Sequence, residues 1–223
     1  MRLAVFDLDG TLVDSQHSIV AAMQAAFAAN GQGEPKPEEV RAGIGLPLMD
    51  IVARLLPAVE VEVQARIAGA YRNASADLRR LGEYQEPLFP GALEALQALE
   101  DTGWLLGVAT GKSRRGLIST LERHDLVKRF ATLQSSDLAK GKPHPEMLLR
   151  AMAEAGAETR TTAMIGDTSF DLEMAGNAGT LAIGVAWGYH GRNELLDSGA
   201  HVIVDGFADL PGALEKLVSP VEV

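Results

Sequence analysis

The chain has 223 residues, of which 47% are hydrophobic and none is cysteine, and its formal net charge is -10. The negative charge argues against nucleic acid or an anionic membrane as a partner, and the lack of cysteine excludes disulfides, thiolate metal sites and a cysteine nucleophile. No apolar run reaches the roughly eighteen residues of a membrane span, and the sequence begins with a strand pattern rather than a signal peptide, so we expect a cytoplasmic protein.

The first predicted element is a short strand over residues 3 to 6, which are all apolar. Asp7 and Asp9 follow it directly, and then Gly10 and Thr11. Open parallel sheets bind ligands at the carboxyl ends of their strands, so both carboxylates are candidates for a functional site. Two anions this close are costly unless a cation lies between them. The pattern therefore favours a hard divalent ion such as Mg²⁺ over a simple turn.

The segment from residue 14 to residue 86 shows only helical patterns. Asp14 and Ser15 form a predicted N-cap, and the first helix runs to Asn30-Gly31. Further helices are predicted over residues 38–42, 48–56 and 61–81. A block of helices before the second strand is unusual for simple alternation of strands and helices. We therefore predict an inserted helical domain over residues 14–86.

From residue 87 the pattern alternates between helices and strands. Predicted strands cover residues 104–109, 130–133, 162–165, 181–185 and 201–204. Strands joined by helices of this length form right-handed crossovers and a parallel sheet covered on both faces. Residues 1–13 and 87–223 are therefore predicted to form an α/β core, a Rossmann-like fold of three layers with a central parallel sheet.

A possible anion site follows the predicted strand over residues 104–109. Thr110, Gly111 and Ser113 open a helix there, and the N–H groups at a helix N-terminus favour an anion. Ser113 is the predicted helix cap. A Walker A loop is excluded, because it needs a glycine where the chain has Leu106.

Two further segments carry charged residues beside predicted helices. Lys142 lies in KGKPHPE and is favoured over Lys140 because prolines on either side of the following histidine stiffen the backbone around it. Asp167 and Asp171 lie in GDTSFD, directly after the predicted strand over residues 162–165. A second predicted strand is thus followed by an aspartate, as the first one is by Asp7.

The motifs FDLDGT, ATGKS, KGKPHPE and GDTSFD resemble, in this order, the four motifs of the haloacid dehalogenase-like hydrolase superfamily. Its members are mostly Mg²⁺-dependent phosphatases, and the resemblance implies that the predicted helical insertion of this chain is a cap domain. The resemblance implies that Asp7 is the nucleophile and that Asp9 is the general acid and base. It also implies that Asp7, Asp167 and the main-chain carbonyl of Asp9 bind Mg²⁺.

The same resemblance assigns roles to the remaining motif residues. Thr110, with Gly111, would bind the phosphoryl group, and Lys142 would neutralise both the phosphate and the nucleophilic carboxylate. Asp171 would support the metal site indirectly. Thr11 would orient Asp9, although it is also a common turn residue.

Individual residues separate the branches of this superfamily. Dehalogenases carry tyrosine at the position of Asp9, and β-phosphoglucomutases have histidine where Ile19 aligns. Phosphonatases use a cap lysine, whereas the only lysine between Asp14 and Glu86 is Lys36, which lies in a polar loop. The segments FDLDGTLVDS and ATGKS most resemble phosphoglycolate phosphatases and related pyrophosphatases. A phosphatase acting on a small anionic phosphomonoester is the leading hypothesis, with 2-phosphoglycolate as the candidate substrate.

Several alternatives stay open at this point. They are an inorganic pyrophosphatase, a phosphomutase and a noncatalytic phosphate-binding module, and the oligomeric state is not predicted. Residues 43–49 (GIGLPLM) are the candidate specificity loop of the cap, and Arg41, Arg114 and Arg115 are candidates for binding an anionic part of the substrate.

Overall fold

A computed structural model describes residues 1–218 of the chain. Its centre is a six-stranded parallel sheet with the strand order β3-β2-β1-β4-β5-β6. The strands are Arg2–Phe6 (β1), Trp104–Thr110 (β2), Phe130–Ser135 (β3), Thr162–Gly166 (β4), Leu181–Val185 (β5) and Val202–Val204 (β6). This architecture confirms the predicted α/β fold with a parallel sheet.

The sheet is covered by helices on both faces. The helices are Gln16–Ala29 (α1), Pro37–Arg41 (α2), Leu48–Leu55 (α3), Val61–Arg80 (α4), Ala92–Asp101 (α5), Arg114–Arg123 (α6), Glu146–Ala155 (α7), Ser169–Ala178 (α8), Arg192–Asp197 (α9) and Leu210–Val218 (α10). Apolar residues of α5, α6 and α10 pack on one face, and those of α7, α8 and α9 pack on the other. Three layers result, as the alternating pattern predicted.

The central strand β1 positions the first acidic motif. Ala4 and Phe6 belong to one apolar cluster, whereas Leu3 and Val5 belong to the other, and all four are fully buried. A strand buried on both faces reads as a continuous apolar run, which explains why the sequence lacks polar alternation there. The chain leaves this strand at Asp7, at the carboxyl edge of the sheet.

Helices α1 to α4 form an insertion between β1 and β2, called here the helical insertion. It has an apolar cluster of its own, which includes Met23, Phe27 and Ile67, and α1 packs along α4. The chain passes from the core into the insertion after Asp14 and returns before Pro87. These two crossings lie side by side, and Asp14 N donates to Pro87 O at 2.8 Å. Whether residues 14–86 behave as a separate domain stays a prediction.

Some local predictions differ from the structure. Helix α9 is not predicted, because the only apolar residues among its six are the adjacent Leu195 and Leu196, and two neighbouring apolar positions give no helical period. Ser15 precedes α1 as predicted, but its side chain makes no cap hydrogen bond. Ser113 does cap α6, since its side chain accepts from Gly116 N. Residues 219–223 of the predicted core lie outside the described residues, and within residues 1–218 no helix is long and apolar enough to cross a membrane.

Candidate active site

Three buried carboxylates meet at the carboxyl edge of the sheet. Asp7 follows β1, Asp167 follows the neighbouring strand β4, and Asp171 lies in the first turn of α8. One oxygen from each side chain lies within 4.8 Å of the others. The parallel pairing of β1 with β4 places Phe6 beside Ile165, so both strands end at the same level. The acids that the sequence placed after two strands are therefore brought together.

Lys142 supplies the positive charge of this group. Its Nζ lies 2.8 Å from Asp7 Oδ1 and 2.6 Å from Asp171 Oδ1, and all three side chains are fully buried. Burial lowers the pKa of Lys142, but the carboxylates of Asp171 and Asp7 raise it above its usual value, so the ammonium group stays charged. Lys140, the competing residue, has an exposed side chain.

One lysine does not balance three acids, and the carboxyl pKa values reflect this. Burial, together with the nearby Asp171 and Asp9, outweighs Lys142 and raises the pKa of Asp7 to about 7. Burial also raises the pKa of Asp167 well above its usual value, and the negative charges of Asp171 and Asp7 add to the shift. A charge deficit of this kind is what a bound cation corrects.

The residues fit a divalent metal ion. Asp7 Oδ2 is buried and accepts no hydrogen bond from any residue within 1–218, so it offers a free lone pair at the acidic edge. Asp167 accepts one hydrogen bond on each oxygen, from Thr11 Oγ1 at 2.8 Å and from Tyr189 N at 2.9 Å, which leaves further lone pairs. Carboxylate oxygens are the ligands that hard divalent cations prefer.

Thr11 contacts a different residue from the one expected. The resemblance implied that Thr11 orients Asp9, whereas its hydroxyl donates to Asp167 Oδ1. The chain turns sharply after Asp9, with Gly10 at φ +89°, and this turn carries Thr11 towards β4. A Cβ at position 10 would collide with the Asp167 carboxylate. Thr11 is thus placed to orient a carboxylate of the acidic group.

Asp171 joins the acidic group to helix α8. Its Oδ2 accepts from Thr168 N at 3.1 Å and from Thr168 Oγ1 at 2.8 Å, while Oδ1 contacts Lys142. The carboxylate therefore caps the helix and holds Lys142 at the same time. Its predicted indirect support of a metal ion is compatible with this position.

Asp9 lies beside the acidic group rather than within it. Its Oδ1 accepts from Ser15 Oγ at 2.6 Å and from Lys112 Nζ at 2.8 Å. Neither partner could be recognised from the sequence, because Ser15 has the pattern of a helix cap and Lys112 that of a helix-opening loop. The predicted binding of a metal ion by the Asp9 main-chain carbonyl stays a prediction.

Thr110 and Gly111 lie at the end of β2, next to β1 in the sheet. The helical insertion reaches them through the predicted specificity loop, residues 43–49. A Cβ at position 111 would collide with the main-chain oxygens of Gly45 and Leu46, and one at position 141 would collide with Pro47. This loop therefore lies directly over the motif that opens α6, and glycine is needed where the two backbones meet.

A cavity of about 500 Å³ lies between the helical insertion and the core. Asp9, Thr110, Gly111 and Lys112 form part of its core side. Its insertion side is lined mainly by apolar and aromatic side chains, but Arg72 and Arg79 of α4 also line it. Arg115 lines the cavity, whereas Arg41 and Arg114 do not. The cavity volume is within the usual range for sites of small organic ligands.

Comparison with known proteins gives consistent results. A family model described as haloacid dehalogenase-like hydrolase matches residues 4–185. A relative from Dickeya dadantii, named "Probable phosphatase IndB", is 41% identical over 219 residues, which cover 97% of this chain and 94% of the relative. A phosphoglycolate phosphatase from Agrobacterium fabrum is 31% identical over 220 residues, with coverage of 97% and 94%.

A third relative and a solved structure complete the comparison. Pyrophosphatase PpaX of Bacillus pumilus is 28% identical over 211 residues, which cover 94% of each chain. The crystal structure of a hydrolase from Pseudomonas syringae superimposes with a TM-score of 0.85 at 24% identity, covering 98% of this chain and 100% of the other. This last likeness concerns the fold.

Proposed function

The chain belongs to the haloacid dehalogenase-like hydrolases as a phosphatase, and we propose that it hydrolyses small organic phosphomonoesters with Mg²⁺, through an aspartyl-phosphate on Asp7. One observation carries the proposal: the Lys142 ammonium group contacts Asp7 inside a buried group of acids with too little positive charge. In this proposal, residues 14–86 act as a cap over the site.

Two displacements at phosphorus make up the reaction. First, an Asp7 oxygen attacks phosphorus, the bond from phosphorus to the ester oxygen breaks, and Asp9 gives its proton to the leaving alcohol. Next, water attacks the phosphorus of the aspartyl-phosphate and loses a proton to Asp9. The bond to Asp7 breaks, phosphate departs, and both aspartates return to their starting states.

The chain's own groups stabilise the charge on the phosphoryl oxygens. Lys142 lies beside Asp7 and offers its charge to the same region. When bound, Mg²⁺ would be held by Asp7, Asp167 and the Asp9 carbonyl, and it would neutralise part of the phosphate charge. These groups attract an anionic substrate locally, although the whole chain is acidic.

The cavity beside Asp9 receives the leaving group in this proposal. Its insertion side combines apolar residues with Arg72 and Arg79, which suits an organic leaving group that carries an anionic end. The relative named phosphoglycolate phosphatase makes 2-phosphoglycolate the first substrate to try, and the cavity also has room for larger leaving groups. Inorganic pyrophosphate is the second candidate, because one relative is named a pyrophosphatase.

A substrate panel tests this proposal. Phosphate release is measured with Mg²⁺ for 2-phosphoglycolate, p-nitrophenyl phosphate, larger organic monophosphates and pyrophosphate. We expect the highest kcat/KM for an organic monophosphate and no turnover by Asp7→Asn, whereas Asp197→Asn, which changes an exposed carboxyl on α9, keeps full activity. A far higher kcat/KM for pyrophosphate would favour the second candidate, and sustained turnover by Asp7→Asn would contradict both.

A further inference from the structure

We propose that Lys112 is a positioning residue for Asp9, fixing this carboxyl group so that Oδ1 is anchored and Oδ2 carries the proton that is transferred. The inference rests on the proposed function, because it assigns an atom to the proton transfer in that reaction. Lys112 belongs to none of the roles implied by the four motifs.

The hydrogen bonds of Asp9 separate its two oxygens. Oδ1 accepts from Ser15 Oγ at 2.6 Å and from Lys112 Nζ at 2.8 Å, whereas Oδ2 has no hydrogen-bond partner within residues 1–218. An oxygen that already accepts two donors cannot also hold a proton that points at the substrate. The proton of the acid form therefore belongs on Oδ2. Because Asp9 lines the cavity, a leaving group held there can receive this proton.

Lys112 is itself held in place by buried partners. Its Nζ lies 3.2 Å from Glu86 Oε2 and 3.4 Å from Thr120 Oγ1, and its side chain is only 11% exposed. Glu86 is fully buried and also contacts Arg123 Nη1 at 3.0 Å. Two positive and two negative side chains therefore form a balanced cluster: Lys112, Arg123, Asp9 and Glu86. A lysine with these contacts has little freedom to move to another position.

The anchors of Asp9 lie where the chain passes between the core and the helical insertion. Ser15 immediately precedes α1, and Glu86 immediately precedes Pro87, whose carbonyl accepts from Asp14 N. Asp9 Oδ1 therefore accepts a hydrogen bond from Ser15, at the first crossing, and is linked through Lys112 to Glu86, at the second crossing. A change in how the insertion sits on the core would move Asp9 relative to the substrate.

The charge of Lys112 is also suited to proton donation. As Asp9 gives its proton to the leaving oxygen, negative charge develops on the carboxylate, and an ammonium group 2.8 Å from Oδ1 stabilises it. This assistance matters most for alcohols, which are poor leaving groups without a proton. It matters little for nitrophenolate, which leaves as a stable anion.

Two substrates of similar shape test the inference: p-nitrobenzyl phosphate releases an alcohol and p-nitrophenyl phosphate releases a phenolate. We expect Lys112→Met to lower kcat/KM by about 100-fold for the benzyl ester, which is within the range of general acid catalysis. For the phenyl ester we expect a loss of only a few-fold. Asp9→Asn should show the same selectivity. Arg123→Met is the matched control, because Arg123 contacts Glu86 but not Asp9, and it should change both values equally and slightly.

Equal losses for both esters in Lys112→Met, or no loss for either, would overturn the inference. Circular dichroism shows whether that variant folds. If it does not, Lys112→Gln takes its place with the same expected and contradicting results, because glutamine leaves a polar group in the cluster. Failure of the proposed function looks different, since Asp7→Asn would then retain turnover of both esters. If Asp9→Asn loses more activity with the benzyl ester than with the phenyl ester, but the Lys112 variant does not, the role of Lys112 is refuted and the proposed function stands.

Discussion

The ammonium group of Lys142 lies 2.8 Å from Asp7 Oδ1, and both side chains are completely buried. Lys142 comes from the loop after β3, whereas Asp7 ends β1, so the contact joins parts of the chain that are 135 positions apart in sequence. A buried carboxylate that is paired with lysine and lies beside two further acids is a group whose environment suits phosphate chemistry.

The first prediction concerns Lys142. Replacing it in Lys142→Met leaves three buried acids without their cation, so we expect the metal-free protein to lose about 3–5 kcal/mol of unfolding free energy. Phosphatase activity should fall by at least about 100-fold, because the charge facing the phosphoryl group is gone. Lys140→Met, which changes an exposed side chain two residues away, should change stability by less than about 0.5 kcal/mol and keep the activity. Urea unfolding in EDTA and a phosphate-release assay measure both effects; equal behaviour of the two variants would refute the assignment.

The second prediction concerns metal binding. Mg²⁺ that binds the folded state alone should raise the unfolding temperature, by an amount equivalent to about 2.7 kcal/mol when its concentration is 100 times Kd. Asp167→Asn should abolish this rise, because it removes a carboxylate of the acidic group. In Asp197→Asn, on the outside of α9, the rise should be unchanged. Thermal unfolding with and without Mg²⁺ is the readout, and an undiminished rise in Asp167→Asn would count against this site.

A third prediction concerns Thr11. Thr11→Val removes the hydroxyl that donates to Asp167 Oδ1 and keeps the shape of the side chain. Loss of such an outer hydrogen bond weakens metal binding by about 10–100-fold, and the concentration of Mg²⁺ needed for half-maximal activity should rise accordingly. Thr161→Val is the control, since the Thr161 hydroxyl bonds the Met1 carbonyl at the opposite end of β4. An unchanged Mg²⁺ requirement in Thr11→Val would show that this hydrogen bond does not orient a metal ligand.

The fourth prediction concerns the contact between the insertion and the core. In Gly111→Ala a methyl group would collide with the Gly45 and Leu46 carbonyl oxygens, so the loop over residues 43–49 must move away from the site. We expect a large loss of kcat/KM with the core still folded. Gly176→Ala, in an open position of α8, should keep the activity and stabilise the protein by up to about 1 kcal/mol. Full activity of Gly111→Ala would mean that the loop contact is not needed for turnover.

Features that depend on local sequence could be predicted. An apolar run that stops at an acid marks both β1 and β4, and the two strands end at the same level because parallel pairing aligns them. The prolines after Lys142 favoured it over Lys140 as the candidate site lysine, and Lys142 is the one that lies buried beside Asp7. The all-helical segment between the first two strands indicated an insertion.

Contacts between distant residues could not be predicted in the same way. Lys112 contacts Glu86, and nothing in the local pattern around either residue indicates the pairing. Ser15 looked like a helix cap, and its hydroxyl instead donates to Asp9, because the turn after β1 brings the two together. Thr11 likewise bonds Asp167 across a separation of 156 residues. The motifs locate the site, whereas the hydrogen bonds that orient its side chains depend on the folded chain.

Trapping the covalent intermediate tests the central claim most directly. The enzyme is mixed with Mg²⁺ and a phosphate-labelled substrate, quenched in acid during turnover and reduced with borohydride, which converts an aspartyl-phosphate into homoserine. Peptide mass spectrometry then locates the modified residue. We predict homoserine at position 7, and none when Asp7→Asn is treated in the same way. Turnover without any acid-stable phosphoenzyme, or modification at a different residue, would contradict the account.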